Sequence, residues 1–90
     1  MKKIVVMQWT RTWEWQPMPT VCDDMAEAHE IVHEDSDEKW SEAMGWKWEC
    51  NAIVKWDWPH GTCAVIHAKT GEVWAAWKVI GIDVPNMEDA

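Results

Sequence analysis

The chain has 90 residues, of which 48% are hydrophobic and 27% are charged, with only four Gly and four Pro. This composition excludes collagen-like and disordered classes, and the length allows one domain with one core, burying about 60% of the surface that the unfolded chain exposes. Sixteen acidic against eight basic side chains give a net charge of -8, and the scattered Lys and Arg exclude direct binding to a nucleic-acid backbone.

The first predicted element is a strand from Lys3 to Trp15. Apolar side chains alternate along it with the period of two that is typical of a half-buried strand. These positions are Val5, Met7, Trp9, Trp13 and Trp15. Two prolines in Gln16-Pro17-Met18-Pro19 then predict a connector, because each removes a backbone donor. The apolar run at residues 4–7 is too short for a signal peptide, so we expect a cytoplasmic, unexported protein.

An amphipathic helix is predicted next, because residues of one stripe recur every three or four positions and Gly45 follows them. The stripe consists of Val21, Met25, Ala28, Val32, Ser36, Trp40 and Ala43. The opposite arc is acidic and consists of Asp23, Glu27, Glu30, Glu34 and Glu38. Asp35-Ser36 could divide this segment into two helices, because Asp35 could cap the start of a second one. Without such a break the helix would be about 36 Å long.

The runs at residues 46–50, 52–58, 62–69 and 72–80 are predicted to be strands. Lys69-Thr70-Gly71-Glu72 and Pro59-His60-Gly61 are predicted turns. The sequence therefore predicts one α+β domain over residues 1–86, with an antiparallel sheet of four to five strands on one long helix. The order is β-α-β-β-β, with one further strand as an alternative, and the acidic residues 87–90 are predicted to be a loose tail.

The aromatic composition is unusual, since ten Trp occur without any Phe, Tyr or Leu. We predict that most indoles fill the core, where small helix residues face a Trp-rich sheet. The predicted sheet positions facing the helix are Trp9, Trp13, Trp15, Trp46, Trp48, Trp56 and Trp58. Trp74 and Trp77 are the predicted exposed indoles. An exposed Trp could form a homodimer contact. It could also form a platform that binds carbohydrate, which is the third hypothesis for the function.

His29-Glu30-Ile31-Val32-His33 resembles the zincin metalloprotease signature, His-Glu-x-x-His. The resemblance implies zinc held by His29 and His33, with Glu30 activating water, so a zinc-dependent hydrolase is the alternative function. In the main prediction, in which this motif does not bind zinc, we expect no metal, no cofactor and no catalytic residue. A further metal set, Cys50, His60, Cys63 and His67, has suitable ligand types but no recognised spacing.

The main functional prediction comes from the segment between Asp23 and Glu42, which holds nine acids and one base, Lys39. We predict a non-catalytic binding protein whose acidic arc engages a basic surface on another protein, without contact to membrane. In size and charge the chain resembles small acidic inhibitor or adaptor proteins of phages and mobile elements, including those that imitate nucleic acid. Three widely spaced cysteines favour reduced thiols and a cytoplasmic location.

Overall fold

The computed structural model describes residues 2–12, 14–45 and 51–83. Its elements are β1 (Lys2–Thr10), β2 (Gln16–Cys22), α1 (Met25–Met44), β3 (Ala52–Asp57), a 3₁₀ turn (Trp58–His60), β4 (Thr62–His67) and β5 (Val73–Asp83). The strands form one antiparallel sheet in the order β2-β1-β5-β4-β3, and α1 packs on one of its faces. The predicted α+β class, with a single helix on a five-stranded sheet, is confirmed.

The predicted connector Gln16-Pro17-Met18-Pro19 is wrong, because these residues begin β2. This strand pairs with β1 from Gln8↔Gln16 to Ile4↔Cys22, around an irregularity in the register. Prolines are tolerated there because β2 lies at one edge of the sheet that the described strands form. The predicted first strand to Trp15 is correspondingly too long, since β1 ends at Thr10.

The helix begins later than predicted, because Val21 and Cys22 extend β2 instead. Asp24 caps it by accepting a hydrogen bond from the Glu27 backbone N–H at 2.9 Å, and the Glu27 carboxylate accepts one from the Asp23 N–H at 2.8 Å. This reciprocal pair is a capping box. The 20 residues run without a break and are about 30 Å long, so the predicted alternative of two helices is wrong.

The core lies between α1 and the sheet. The helix contributes the small, fully buried stripe Ala28, Val32, Ser36 and Ala43, four of the seven predicted positions, whereas Met25, also predicted there, is 37% exposed. Trp77 on β5 fills the space beneath it and is 1% exposed, so its predicted exposure is wrong. Its Nε1–H donates to Asp35 Oδ2 at 2.8 Å, and the Gln8 side-chain amide donates to the same oxygen. Asp35 therefore ties the helix to the sheet instead of starting a second helix.

The sheet has an outer face, which we define as the face opposite to α1. Residues alternate across a strand, so Trp9, paired with Ala76, lies on the outer face while Trp77 faces the helix. Trp15, which is 37% exposed, lies on the same side against Lys78. The predicted helix-facing positions Trp9 and Trp15 are therefore wrong. Trp74 is half-buried at the core margin, where the Arg11 guanidinium lies 5.9 Å from its ring centroid.

Two predicted turns are confirmed by glycines with left-handed backbone. Gly71 has φ 74° in the connection between β4 and β5, and Gly61 has φ 68° after the 3₁₀ turn. Trp13, the predicted strand at residues 46–50 and the predicted tail at 87–90 lie outside the described residues. Within the described part of the chain, no helix has the length and apolar character needed to cross a membrane.

Candidate binding site on the acidic helix

The exposed side of α1 carries an acidic arc, which we define as Glu30, Glu34, Asp37 and Glu38. At 100° per residue these four lie within about 100° of one another, opposite the buried stripe. All four side chains are exposed. Across the described ranges, no Lys, Arg or His side chain forms a salt bridge with any of them. The arc therefore presents four carboxylates to solvent, unpaired within the part of the chain that the structure describes.

The arc differs from the predicted set by the loss of Asp23 and Glu27 and by the gain of Asp37. Asp23 forms a salt bridge with Lys3, and Glu27 belongs to the capping box, so both are engaged in local structure. Asp37 joins the arc although the sequence prediction omitted it. A helical projection at 100° per residue places Asp37 beside Glu30 and Glu34, so that signal was present in the sequence.

The electrostatic field of α1 is one-sided. Seven acids and one base lie between Met25 and Met44, a net charge of -6. The base, Lys39, has its Nζ 3.6 Å from Glu42 Oε2 and lies about 100° around the helix from Glu38, at the margin of the buried stripe. Glu30, Glu34 and Glu38 follow one another at i,i+4, where like charges repel by a few tenths of a kcal/mol per pair. A cation bound along this face would relieve that repulsion.

A shallow pocket of about 580 Å³ lies at the N-terminal end of α1. Its lining includes the carboxylates of Asp24, Glu27 and Glu30 and the indole of Trp58. We call this the N-terminal pocket. Carboxylates beside an indole suit a Lys or Arg side chain, which can pair with the acids and lie against the aromatic ring. The helix dipole opposes a cation at this end, but Asp24 and Glu27 keep their negative charge while they accept the capping hydrogen bonds, and with Glu30 they outweigh its half-charge.

His29 and His33 lie one turn apart on α1, as the zincin resemblance implies, and both pack on Trp56. The His29 ring stacks on Trp56 with centroids 4.8 Å apart and meets the Trp58 edge at 5.1 Å, and the His33 centroid lies 6.2 Å from Trp56. The described residues contain no group of three or more His, Cys, Asp or Glu placed to hold a metal ion. The hydrolase alternative thus rests on His29, His33 and Glu30 alone and stays a prediction.

The second predicted metal set is dispersed in the part of the chain that the structure describes. Cys63 is buried beneath α1 at 3% exposure. The exposed His60 Nδ1 lies 2.9 Å from Asp57 Oδ1, and His67 Nδ1 accepts the Lys69 N–H at 3.1 Å. Cys50 lies outside the described residues. The three described members, His60, Cys63 and His67, belong to no group placed to hold a metal ion.

We expect Cys63 to be unreactive in the folded protein. Burial raises its pKa to about 11, against the opposing effect of a hydrogen bond with Ser36. In a Cys22→Ala, Cys50→Ser background, which leaves Cys63 as the one thiol of the chain, Ellman's reagent at pH 8 should therefore label it only as fast as the protein unfolds. Because the folded pKa lies above the value of 9.0 without burial, stability should be fully present below pH 9 and fall as pH rises toward 11. Labelling at the rate of a free thiol would contradict this.

The described indoles give little support to the carbohydrate platform, which stays a prediction, and of its two predicted exposed positions Trp74 is half-buried. Trp77 is buried, and Trp56 and Trp58 meet at 73° with His29 against both rings, so they offer no common flat surface. The exposed indole of Trp15 has the Lys78 Nζ 4.3 Å from its ring centroid. An exposed ring with a cation on its face is a poor stacking surface for a sugar.

Comparison with known protein families, with curated proteins and with solved structures found no match to this chain. The functional argument therefore starts from the described residues. Among them, the acidic arc and the adjoining N-terminal pocket form the most strongly charged surface.

Proposed function

We propose that this protein is a non-catalytic binding protein whose acidic arc engages a basic surface on another protein. The single observation that carries the proposal is the arc itself, four exposed carboxylates on one side of a rigid helix, none of which has a basic partner among the described residues. The buried stripe holds the opposite side of α1 against the sheet, so the arc is presented in a fixed orientation. Binding then needs little ordering of the helix backbone.

Two further features support a basic protein partner. The net charge of -8 attracts a basic surface over roughly one Debye length, about 8 Å at physiological salt, which accelerates association. The N-terminal pocket continues the arc and places Trp58 where a Lys or Arg side chain of the partner can insert. The arc supplies long-range attraction, and the pocket supplies a short-range anchor.

The dimensions favour a local basic patch over a groove built for a duplex. From Glu30 to Glu38 the arc extends about 12 Å at about 1.5 Å per residue, roughly a third of the 34 to 36 Å of one duplex turn. The sequence prediction included the possibility that the acidic helix imitates nucleic acid. The short arc supports that possibility less than it supports binding to a Lys- or Arg-rich protein patch. A cytoplasmic partner remains part of the proposal, in keeping with the reduced cysteines.

The proposal predicts the binding of a fluorescently labelled oligolysine to charge variants. Replacing Glu30, Glu34 and Glu38 by Gln retains helix propensity and removes three arc charges. We expect folding to survive and affinity at low salt to fall about tenfold, since three exposed ion pairs contribute about 1–2 kcal/mol together. The dependence of affinity on salt should become shallower. Fluorescence anisotropy measures both quantities.

The matched control separates the arc from net charge. Glu14, Glu42 and Glu72 are exposed acids outside the arc, so their triple Gln variant has the same net charge as the arc variant. Glu42 and Glu72 already pair with Lys39 and Arg11. We expect this control to lose much less affinity than the arc variant. Equal losses in the two triple variants would show that only total charge matters and would reject the arc as a site.

A further inference from the structure

The outer face of the sheet contains a groove far from the acidic arc. Its floor is the directly paired Ala64 on β4 and Ala76 on β5, and its walls include Trp15, Lys55 and Lys78. Two adjacent alanines among longer side chains leave a depression, here of about 290 Å³. This groove lies on the face opposite to α1, so its occupancy is independent of the proposed function.

The groove is basic in an otherwise acidic protein. Its lining contains two lysines and no carboxylate. Among the described residues, neither lysine forms a salt bridge, and the Lys78 ammonium instead lies 4.3 Å from the Trp15 ring centroid. Lys55 pairs with Ala64 and Lys78 with Thr62 across the sheet, so the two cations flank the groove from β3 and β5. The sheet spacing puts their Cα atoms about 12 Å apart.

We infer that this groove binds a small apolar carboxylate, with its hydrocarbon part on Ala64 and Ala76 beside Trp15 and its carboxylate between Lys55 and Lys78. The apolar floor supplies burial, and the two ammonium groups supply the charge-assisted contacts. At about 30 Å³ per water-sized group, 290 Å³ holds about ten non-hydrogen atoms. Octanoate has that size and is the probe.

The inference is tested by ¹H–¹⁵N NMR titration of the full chain with three eight-carbon probes. Octanoate should shift the Ala64 and Ala76 amides and the Trp15 indole N–H. Octanol should bind at least about tenfold more weakly, because it lacks the charge that two lysines attract, and octylammonium should not bind. Equal affinity for octanoate and octanol, shifts confined to other regions, or no shifts at millimolar octanoate would each overturn the inference.

Variants test the named side chains. Lys55→Gln and Lys78→Gln should each weaken octanoate binding about three- to tenfold, whereas Lys69→Gln in the exposed turn should leave it unchanged. Ala76→Leu should fill the floor and abolish binding, with the dispersion of its NMR spectrum as the check on folding. Equal effects of all three lysine changes would overturn the site. Sedimentation velocity tests whether a second copy covers the groove instead. A dimer that Lys55→Gln and Lys78→Gln strengthen would also overturn the site.

Discussion

Trp77→Ala is expected to remove about 3–5 kcal/mol from the free energy of unfolding. The indole is 1% exposed and fills the layer between α1 and the sheet, so its removal leaves a large cavity. The substitution also leaves Asp35 without the hydrogen bond from Trp77 Nε1–H. Small domains have about 5–15 kcal/mol of total stability, so the variant should lose a large fraction of it and unfold at a clearly lower urea concentration. Urea denaturation monitored by circular dichroism measures the loss.

Trp15→Ala is the matched control, because it removes the same side chain from a position that is 37% exposed. It should cost about 1 kcal/mol, mainly through the lost contact with Lys78. The sequence prediction, with Trp77 exposed and Trp15 facing the helix, would give the reverse order. A larger loss for Trp15→Ala than for Trp77→Ala would therefore contradict the assignment of the two sheet faces.

Gly61→Ala is expected to destabilise the protein by about 2–4 kcal/mol. Gly61 has φ 68°, a conformation that costs an L-residue about 1 kcal/mol, and an added Cβ would collide with Cγ2 of Val79. The backbone cannot withdraw easily, because the Gly61 N–H donates to Trp58 O at 2.8 Å and its carbonyl accepts the Val79 N–H at 3.0 Å. Overpacking of this kind adds about 1–3 kcal/mol.

Gly71→Ala is the matched control, because it introduces the backbone strain without the collision. Gly71 has nearly the same φ, 74°, but no atom of the described residues beyond its chain neighbours lies within 4 Å of the position of an added Cβ. This variant should lose only about 1 kcal/mol, so the two unfolding free energies should differ by about 1–3 kcal/mol. Equal losses for Gly61→Ala and Gly71→Ala would show that Val79 moves aside without cost.

Local patterns predicted the elements better than their packing. The stripe through Ala28, Val32, Ser36 and Ala43 predicted the helix because burial on one side of a helix recurs every three or four residues. Alternation predicted β1 equally well, but alternation shows only which residues share a face. It does not show which face the helix covers. For that reason Trp9 and Trp77 were assigned to the wrong environments.

The edge strand was missed for a related physical reason. Pro17 and Pro19 remove backbone donors, which excludes a central strand but not an edge strand, and the sheet order is not visible in the sequence. The same limit applies to the acidic arc. Its helical spacing was readable, whereas the engagement of Asp23 by Lys3 and of Glu27 in the capping box depends on three-dimensional contacts. The groove over Ala64 and Ala76 depends on strand register and had no signal in the sequence.

The most direct measurement of the proposed function is an NMR titration of the ¹⁵N-labelled protein with oligolysine, which maps the bound surface residue by residue. If the acidic arc is the site, the largest amide shifts should cluster at Glu30, Glu34, Asp37 and Glu38 and at the Trp58 indole N–H beside the N-terminal pocket, and they should fade as salt is raised. Small shifts spread evenly over acids on every side, including Glu14 and Glu72, would contradict a binding site on α1.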